Sequence, residues 1–517
     1  MYKKLVLTLI PLLLIASIAF SGLTFAQPTI KVGVIGPVGL PHWSPGMKEA
    51  AEMARDEINA AGGIKIGGTS YQIQLILGNE YAIDPETGTY NPTKARAELA
   101  RLLDEGAKFI AGGFRTEVTG PIIEEAMDAK VPFFINGAST DELIPNMTVP
   151  ALYARYKYLF RVNPINSTML VRNIFGYLVY YLIPYKLLPM YGHPVKFAVL
   201  TEDLAWTAKM HYILTAPTIY PTVLGPNVTL AYQARIPETA TDLSTYLNGV
   251  KDSGARLMII VFSGRAGLPL IVQWASMGVQ ALPVGINVLG QIQTHWSVTG
   301  GKCAYEVIMN TLGTRTPIVP GVTDVFWDKF VTKTGGAWPM YTAIGAYDQL
   351  YALKETLEAA PSDVVKPYLD GTADADALIP YIAAHTRVGL TNRFKYTEWH
   401  DVFSVSAGPV WPDGYLRAMM VQWRKEKMEV VSPVDQLYST KTVIPTWMYD
   451  LADVDLDFNG KVDIKDIFTI AKSFGASPGN PRWNIEADVN VDGKTDINDI
   501  FLIAKGFGKS AAQWPLP

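Results

Sequence analysis

The amino-acid sequence predicts a two-lobed α/β fold followed by a small, all-helical domain. Between about residues 29 and 430, strand-like and helix-like segments alternate in two successive series. Repeated βα units of this kind form parallel sheets with right-handed crossovers, so each series predicts one lobe. Beyond residue 450, two acidic loops recur 33 residues apart, at Asp455 and Asp488, and each precedes a closely similar apolar segment. A repeat in register indicates a duplicated supersecondary unit.

Residues 1–26 predict a signal peptide that exports the protein to the periplasm or the extracellular face. Lys3 and Lys4 precede a long uncharged run, and the small residue Ala26 offers a cleavage point before Gln27. This order of charged, apolar and small residues is typical of secretory signals. Because the apolar run is long enough to span a bilayer, an uncleaved segment that tethers the protein to the membrane stays open as an alternative.

The composition excludes several classes of protein. The 517 residues suffice for two or three compact domains, and a hydrophobic content of 49% supports full cores. A formal net charge of −4 gives no electrostatic basis for binding nucleic acid. Cys303 is the single cysteine, so the chain has no internal disulfide and no cysteine-built zinc site. We expect Cys303 to be a small buried thiol.

The two series of strands predict the domain boundaries. Continuous β-branched or aromatic runs, as expected for strands buried on both faces, cover residues 30–38, 71–78, 108–113, 131–137, 196–202, 228–236, 256–264 and 283–290. We assign lobe one to about 29–162 and 291–416, and lobe two to about 163–290 with a return near 417–430. A linker covers 431–450, and the small C-terminal domain covers 451–517. Ligands of parallel sheets bind at the carboxyl ends of the strands, so a solute is expected between the lobes.

Four blocks of sequence resemble a known family: KVGVIGPVG (31–39), ARDEINAAGGI (54–64), AGGFRTEVTGPIIEEAMDAKVPFFINGASTDEL (111–143) and FRVNPIN (160–166). In this order they are similar to the periplasmic-binding-protein type I family, in the branch that includes branched-chain amino acid and amide receptors. The resemblance covers roughly residues 29–430. It implies a hinged, two-lobed protein without enzyme activity. Such a protein captures a small polar solute (an amino acid, an amide or a related carboxylate) for an ABC permease in the membrane.

The resemblance also implies which residues contact the solute. All of them follow predicted strands, and they are Trp43, Arg115, Thr116, Gly137, Ser139, Trp206, Ser263, Arg265 and Asn287. Trp43 and Trp206 would form aromatic walls of the cleft, while Thr116 and Ser139 would bind a carboxylate. Loops that begin helices present free N–H groups and a positive dipole end, which suits an anion. Ordinary helix capping or packing remains the alternative for each of these side chains.

Asn287 departs from the pattern of the family. Amino-acid-binding members commonly place a carboxylate near this position to hold the ammonium group of the ligand. An amide neither supplies that charge nor forbids the contact. A zwitterionic amino acid therefore stays among the candidate solutes, and the amide at this position favours an amide, a carboxylate or a peptide-like solute.

The two acidic loops carry oxygen side chains at positions 1, 3, 5, 9 and 12. In the first loop these are Asp455, Asp457, Asn459, Asp463 and Asp466, and in the second Asp488, Asn490, Asp492, Asp496 and Asp499. Position 6 is glycine in both loops, where the chain turns sharply, and position 7 (Lys461 or Lys494) would offer its backbone carbonyl. This alternation is typical of EF-type loops, so we expect two calcium ions.

The loop spacing resembles that of type I dockerin repeats, which are loop–helix units that end in Asp at position 12. This resemblance covers about residues 450–510. It implies docking to a cohesin-type protein partner.

Two other functions stay open at the level of sequence. A secreted, dockerin-bearing enzyme such as a glycoside hydrolase is one, although the chain contains neither an HExxH pair nor a GxSxG elbow. The other is a surface scaffold or receptor without transport function. Turnover of glycosides would favour the enzyme, and the absence of any bound solute would favour the scaffold.

Overall fold

The computed structural model describes residues 27–37, 46–163, 165–188, 194–310, 312, 314–403, 419–432, 442–444, 454–457, 461–490 and 493–508. The predicted signal peptide lies outside these ranges. So do Trp43, a predicted solute contact, and Asn459 and Asp492, two predicted calcium ligands. Among the helices of the described ranges, none combines the length and the apolar character needed to cross a membrane.

Lobe one is built on a six-stranded sheet. Its strands are β1 (Thr29–Gly36), β2 (Ile64–Ile66), β3 (Thr69–Asn79), β4 (Phe109–Gly112), β5 (Phe133–Ile135) and β6 (Leu159–Arg161). The spatial order is β2-β3-β1-β4-β5-β6. The short β2 pairs antiparallel with β3, and the other neighbours pair in parallel. The predicted doubly covered sheet is therefore present, with its carboxyl ends at one edge.

Lobe two is built on a seven-stranded sheet. Its strands are β7 (Val195–Glu202), β8 (Val228–Ile236), β9 (Leu257–Phe262), β10 (Leu282–Asn287), β11 (Val307–Asn310), β14 (Met419–Arg424) and β15 (Lys427–Ser432). The spatial order is β15-β14-β11-β10-β9-β7-β8. The first five strands run parallel, and β14 and β15 add an antiparallel hairpin at one side. A further hairpin, formed by β12 (Thr386–Gly389) and β13 (Asn392–Lys395), makes a separate two-stranded antiparallel sheet.

Helices cover both sheets, and the last two helices of the described residues belong to the C-terminal domain. In chain order they are α1 (Met47–Ala60), α2 (Pro92–Asp104), α3 (Thr116–Asp128), α4 (Pro150–Tyr156), α5 (Ser167–Tyr177), α6 (Ala205–Thr215), α7 (Tyr220–Leu224), α8 (Ser244–Ser253), α9 (Gly267–Ser276), α10 (His295–Thr299), α11 (Thr323–Thr334), α12 (Tyr341–Ala359), α13 (Ser362–Leu369), α14 (Ile379–Ala384), α15 (Ile464–Ser473) and α16 (Ile497–Gly506). Three single 3₁₀ turns lie over Asp141–Leu143, Leu289–Gln291 and Ile485–Ala487.

Local chemistry explains several helix boundaries. Asn91 caps α2 through a bond from the Lys94 N–H at 3.1 Å, and Pro92 takes the first helical position, where no N–H is needed. The next helix, α3, begins at Thr116 and carries Pro121 inside. Pro121 removes the bond that its N–H would donate to the carbonyl of Glu117, which the helix tolerates.

The boundary between the lobes differs from the sequence prediction. Lobe two was predicted to end at residue 290, but β11 (307–310) pairs in parallel with β10 and therefore belongs to the lobe-two sheet. The chain returns to lobe one only afterwards, where α12 packs against α1. A strand of four residues gives almost no periodic pattern, so only its pairing reveals it. The predicted return of the chain to lobe two near residue 417 begins outside the described residues.

The apolar segment 173–185 is helical and only partly buried. The helix α5 continues into a π-helical stretch over Leu178–Leu187. Tyr177 and Leu182 are buried, whereas Tyr180 and Tyr185 are 44% and 53% exposed. The wider turn accommodates Pro184, whose ring lacks the N–H of a regular helical residue.

Part of the predicted linker is held against lobe two. The backbone of Val443 exchanges two hydrogen bonds of 2.8 Å with the side chain of Gln422 on β14. The hydroxyl of Thr442 is bonded to that of the buried Tyr177 at 2.6 Å, and Ile444 is buried. Residues 442–444 are therefore anchored to lobe two.

The C-terminal domain consists of two loop–helix units that bond to each other reciprocally. The N–H of Gly475, after α15, donates to the carbonyl of Thr495 in the second loop at 2.8 Å. The N–H of Gly508, after α16, donates to the carbonyl of Val462 in the first loop at the same distance. Each helix begins with a capping box, formed by the residues at loop positions 9 and 12. The predicted duplication is thus visible in the backbone.

Candidate functional site

The carboxyl edge of the lobe-one sheet is organised around a glutamate that directly follows β3. Glu80 is fully buried, and its carboxylate accepts the backbone N–H groups of Phe114 at 2.6 Å and of Arg115 at 3.2 Å. Burial raises the pKa of Glu80 to about 8, although the two N–H donors act in the opposite direction. Glu80 therefore fixes the loop from which α3 begins.

Two threonines and a serine lie at the same edge. Thr116 opens α3, Thr140 follows β5, and their hydroxyls are hydrogen-bonded at 2.6 Å. The neighbouring Ser139 is buried, and its carbonyl accepts the Arg161 guanidinium at 2.7 Å and the Ser167 hydroxyl at 3.0 Å. The two loops predicted to bind a carboxylate therefore meet, and the start of α3 adds a positive dipole end.

Gly137 allows these two loops to approach each other. A Cβ atom at position 137 would come within 2.6 Å of the Cα atom of Phe114. The Gly137 carbonyl accepts the hydroxyl of the buried Tyr341 at 3.4 Å, and the Tyr341 ring stacks on Phe114. Gly137 thus has a definite packing role beside the predicted site.

A second buried glutamate organises the carboxyl edge of lobe two. Glu202 ends β7, and its Oε2 atom accepts the N–H groups of Ser263 at 2.9 Å and Gly264 at 2.8 Å, and the Ser263 hydroxyl at 3.0 Å. The indole Nε1 of Trp206 donates to the same Ser263 hydroxyl at 3.0 Å. Trp206 and Ser263, two predicted solute contacts, therefore lie together, and Glu202 holds them in place.

The other two predicted contacts of lobe two are placed differently. Arg265 is exposed. Asn287 is fully buried, and its side-chain amide donates to Oε1 of Glu306 at 2.7 Å, while His295 is bonded to the other Glu306 oxygen at 2.8 Å. The Asn287 amide nitrogen therefore belongs to a polar network inside lobe two, while its Oδ1 atom is buried without a hydrogen-bond partner among the described residues.

Side chains of the two lobes meet directly across the cleft. Arg115 of lobe one donates to Glu238 of lobe two at 3.0 Å. Lys209, on α6 of lobe two, forms an ion pair with Asp141 of lobe one at 2.7 Å. Although burial acts the other way, Lys209 helps to hold the pKa of Asp141 below its usual range. These contacts place the carboxyl edges of both sheets at one cleft.

Sequence reasoning missed the residues that organise this cleft, namely Glu80, Thr140, Glu202, Lys209 and Glu238. A carboxylate at the carboxyl end of an apolar strand is a usable signal, and Glu80 and Glu202 both have it. Their partners lie 34 and 61 residues further along the chain, a separation that no local pattern reveals.

The first acidic loop brings three of its predicted calcium ligands together. Ligand oxygens of Asp455, Asp457 and Asp466 lie within 4.8 Å of one another. Asp466 accepts the N–H groups of Leu456 at 2.6 Å and Asp463 at 2.7 Å. Burial raises the pKa of Asp466, and the Asp457 carboxylate acts in the same direction. Clustered carboxylate oxygens are the donors that a hard divalent cation prefers, so the residues present fit calcium.

The second loop repeats the backbone arrangement of the first. Asp499 is fully buried and accepts the N–H groups of Asn490 at 3.1 Å and Asp496 at 2.7 Å. Gly493 turns the chain with a φ of 84° and donates its N–H to the buried Asp488 at 2.9 Å. Glycine is required at this turn because other residues rarely adopt a positive φ.

The fold and the cleft together define a two-lobed solute-binding protein. Two α/β sheets point their carboxyl ends at each other, and side chains of both lobes meet there. The chain belongs to the periplasmic binding protein family, whose model matches residues 29–395. This match ends before the acidic loops, and the dockerin-like character of residues 451–517 stays a prediction.

Solved structures of several transport proteins share this fold. An ABC transporter substrate-binding protein from Sphaerobacter thermophilus is 15% identical with a TM-score of 0.58, over 81% of this chain and 100% of that one. LivJ from Streptococcus pneumoniae, a branched-chain amino acid transporter substrate binding protein in complex with isoleucine, is 17% identical with a TM-score of 0.57, over 78% and 99%. A solute binding protein from R. palustris in complex with benzoate is 16% identical with a TM-score of 0.56, over 78% and 95%. A comparison with curated proteins gave no match.

Proposed function

We propose that the protein is an exported receptor that captures one small polar solute between its lobes and delivers it to an ABC permease. The meeting of Thr116, Thr140 and Ser139 at the start of α3, opposite Trp206 of lobe two, carries this proposal. Hydroxyl groups beside the positive end of a helix suit an anionic or carbonyl oxygen. An indole on the other lobe suits the apolar remainder of a small solute.

The solutes bound by similar structures agree with this chemistry. Isoleucine and benzoate, each present in a similar structure, both carry a carboxylate on an apolar body. We therefore place the carboxylate of the solute at the hydroxyls of lobe one, and its apolar body against Trp206. An amino acid, an amide and an aromatic carboxylate all satisfy this arrangement.

Release of a retained solute tests the proposed function. The chain without its first 26 residues is purified in volatile buffer and denatured, and the supernatant is analysed by mass spectrometry. We expect one small carboxylate or carbonyl compound in a near-equimolar amount, and rebinding of that compound on refolding. A preparation that releases nothing and binds no member of an amino acid and benzoate panel would favour the scaffold. Hydrolysis of glycosides would favour the enzyme.

We further propose that the C-terminal domain is a calcium-dependent docking module. The clustered carboxylates of the first loop and the repeated backbone arrangement of the second support calcium binding. The two helices also expose equivalent apolar residues: Ile464 and Ile497, Phe468 and Phe501, Phe474 and Phe507. Exposed apolar groups repeated by internal symmetry suit a protein partner, which the dockerin resemblance suggests is of the cohesin type.

Counting bound calcium tests the module. We expect about two calcium ions per full-length chain, and about one after Asp455→Ala or Asp488→Ala, because each substitution removes a carboxylate from a different loop. Asp104→Ala, on the exposed end of α2, is the matched control and should leave the count unchanged. A count of zero in the unaltered chain, with calcium supplied at millimolar concentration, would show that these are acidic turns without metal.

A further inference from the structure

Arg161 is a buried cation that ends β6 and holds the solute loop (Ser139 and Thr140). Its side chain is fully buried, and its guanidinium donates to the carbonyls of Ser139 and Thr140, both at 2.7 Å. Asp401 supplies the opposite charge, with one carboxylate oxygen 3.3 Å from Nε of Arg161. A buried charge is stable only where such partners surround it. Because both residues of the solute loop are proposed solute contacts, Arg161 fixes the backbone of the carboxylate cradle.

Asp401 also reaches the first helix of lobe two. Its other carboxylate oxygen accepts the side-chain amide of Asn166 at 2.9 Å. The side-chain oxygen of Asn166 in turn caps α5, because it accepts the N–H of Met169 at 2.9 Å. The backbone next to Asp401 is tied to β6, since the N–H of Arg161 donates to the carbonyl of His400 at 2.9 Å. One buried carboxylate therefore joins the end of β6 in lobe one to the cap of α5 in lobe two.

The first turn of α5 returns to the solute loop and closes this series of contacts. The carbonyl of Ser139 accepts the N–H of Ser167 at 2.8 Å and the Ser167 hydroxyl at 3.0 Å. The next residue, Thr168, donates its N–H to Asp141 at 3.0 Å. The same turn lies against α6, because the Ser167 hydroxyl is 3.5 Å from the carbonyl of Trp206. The first turn of α5 thus lies between the carboxylate cradle of lobe one and the proposed aromatic cover of lobe two.

We propose that Asp401 is a positioning residue that couples the carboxylate cradle of lobe one to the first turn of α5, and through this turn to the lobe-two side of the cleft. The inference rests on the proposed function, since it takes Ser139 as a solute contact. It adds a residue that acts on the solute through Arg161 and α5 rather than by contact. Such coupling is reciprocal: a solute at the cradle steadies the start of α5, and a loosened start of α5 weakens the hold on the solute.

Exchanging the two partners of the bond between Asp401 and Asn166 tests the coupling without any solute. Asp401→Asn leaves a single oxygen for two partners, Arg161 and Asn166. Asn166→Asp brings two carboxylates together, although it keeps a good helix cap. The double variant again pairs one amide with one carboxylate, in exchanged positions. Hydrogen–deuterium exchange of the full chain is followed in peptides that cover residues 136–143 and 165–172. We expect about tenfold faster exchange in both peptides for each single variant, and recovery in the double variant.

Asp374→Asn is the matched control, because it makes the same change at an exposed carboxylate that pairs with Lys130 in lobe one. It should alter neither peptide. Thermal unfolding checks that all variants are folded. Ser167→Ala is a milder change that removes only the hydroxyl bond to Ser139, and it should also speed exchange in both peptides. Faster exchange confined to residues 165–172, or a double variant that exchanges as fast as the single variants, would overturn the coupling.

Calorimetry with L-isoleucine and with benzoate extends the test to solute binding. For a probe that the unaltered protein binds, Asp401→Asn should weaken binding by about tenfold, and the double variant should restore it. Unchanged affinity in Asp401→Asn would overturn the role of Asp401 in holding the solute, and the proposed function would survive that result. If the unaltered protein binds neither probe, the proposed solute class fails, and the exchange measurements alone decide the coupling.

Discussion

Replacing Glu80 by glutamine should make the stability of the protein less sensitive to pH. Burial raises the pKa of Glu80 from 4.5 to about 8 in the folded chain. Between these two pH values the folded state keeps a proton that the unfolded state has lost. The contribution of Glu80 to stability is therefore complete below about pH 4.5 and is lost as the pH rises through 8. At about 1.4 kcal/mol per pKa unit, the full loss is about 5 kcal/mol. Glutamine resembles the protonated side chain at every pH.

Chemical denaturation followed by tryptophan fluorescence measures this effect. The free energy of unfolding is determined for the unaltered chain and for Glu80→Gln at several pH values from 5 to 8. We expect the unaltered chain to lose several kcal/mol relative to the variant across this range. Glu398→Gln, which removes an exposed carboxylate, controls for the loss of one charge. A difference between the unaltered chain and Glu80→Gln that stays constant from pH 5 to 8 would refute the reasoning.

Three further predictions concern the cleft and the C-terminal domain. Thr116→Val and Ser139→Ala should each weaken solute binding by about tenfold to a hundredfold in calorimetry, because each removes a hydroxyl from the carboxylate cradle; full retained affinity removes that residue from the site. Glu238→Gln breaks a partly exposed ion pair between the lobes and should lower solute affinity by at most about fivefold. The control, Glu124→Gln, breaks an ion pair within lobe one and should leave solute affinity unchanged. In calorimetric scans of the full chain, a chelator should remove a low-temperature unfolding transition that belongs to residues 454–508 and leave the unfolding transition of the two lobes in place. The reason is that calcium relieves the repulsion between the loop carboxylates. Scans that do not change would argue against a metal-dependent domain.

The sequence was most informative where structure is local. Parallel strands buried on both faces produce uninterrupted apolar runs, and β1 (29–36), β3 (69–79) and β8 (228–236) lie within two residues of their predicted bounds. The glycine turn at position 493 could also be predicted, because the loop spacing determines its place. The family match over residues 29–395 confirms the fold that these patterns predicted.

The sequence was least informative where distant segments meet. β11 is four residues long and is recognised by its pairing with β10 rather than by its pattern. The bond from Ser263 to Glu202 joins residues 61 positions apart, and the contact of Arg115 with Glu238 joins residues 123 positions apart. Asn287 was assigned to the cleft from the family resemblance, and its amide nitrogen donates to Glu306 inside the lobe. Positions at strand ends predict a neighbourhood, but the direction of a side chain follows from tertiary packing.

Small-angle X-ray scattering with and without solute tests the central claim most directly. The claim is that the two lobes close as rigid bodies around one small molecule held at their carboxyl edges. The protein is stripped of its solute by unfolding and refolding, measured, and measured again after the solute identified by mass spectrometry is restored. We predict a smaller radius of gyration in the presence of the solute. An unchanged radius of gyration, with calorimetry showing tight binding of the same solute, would contradict the account.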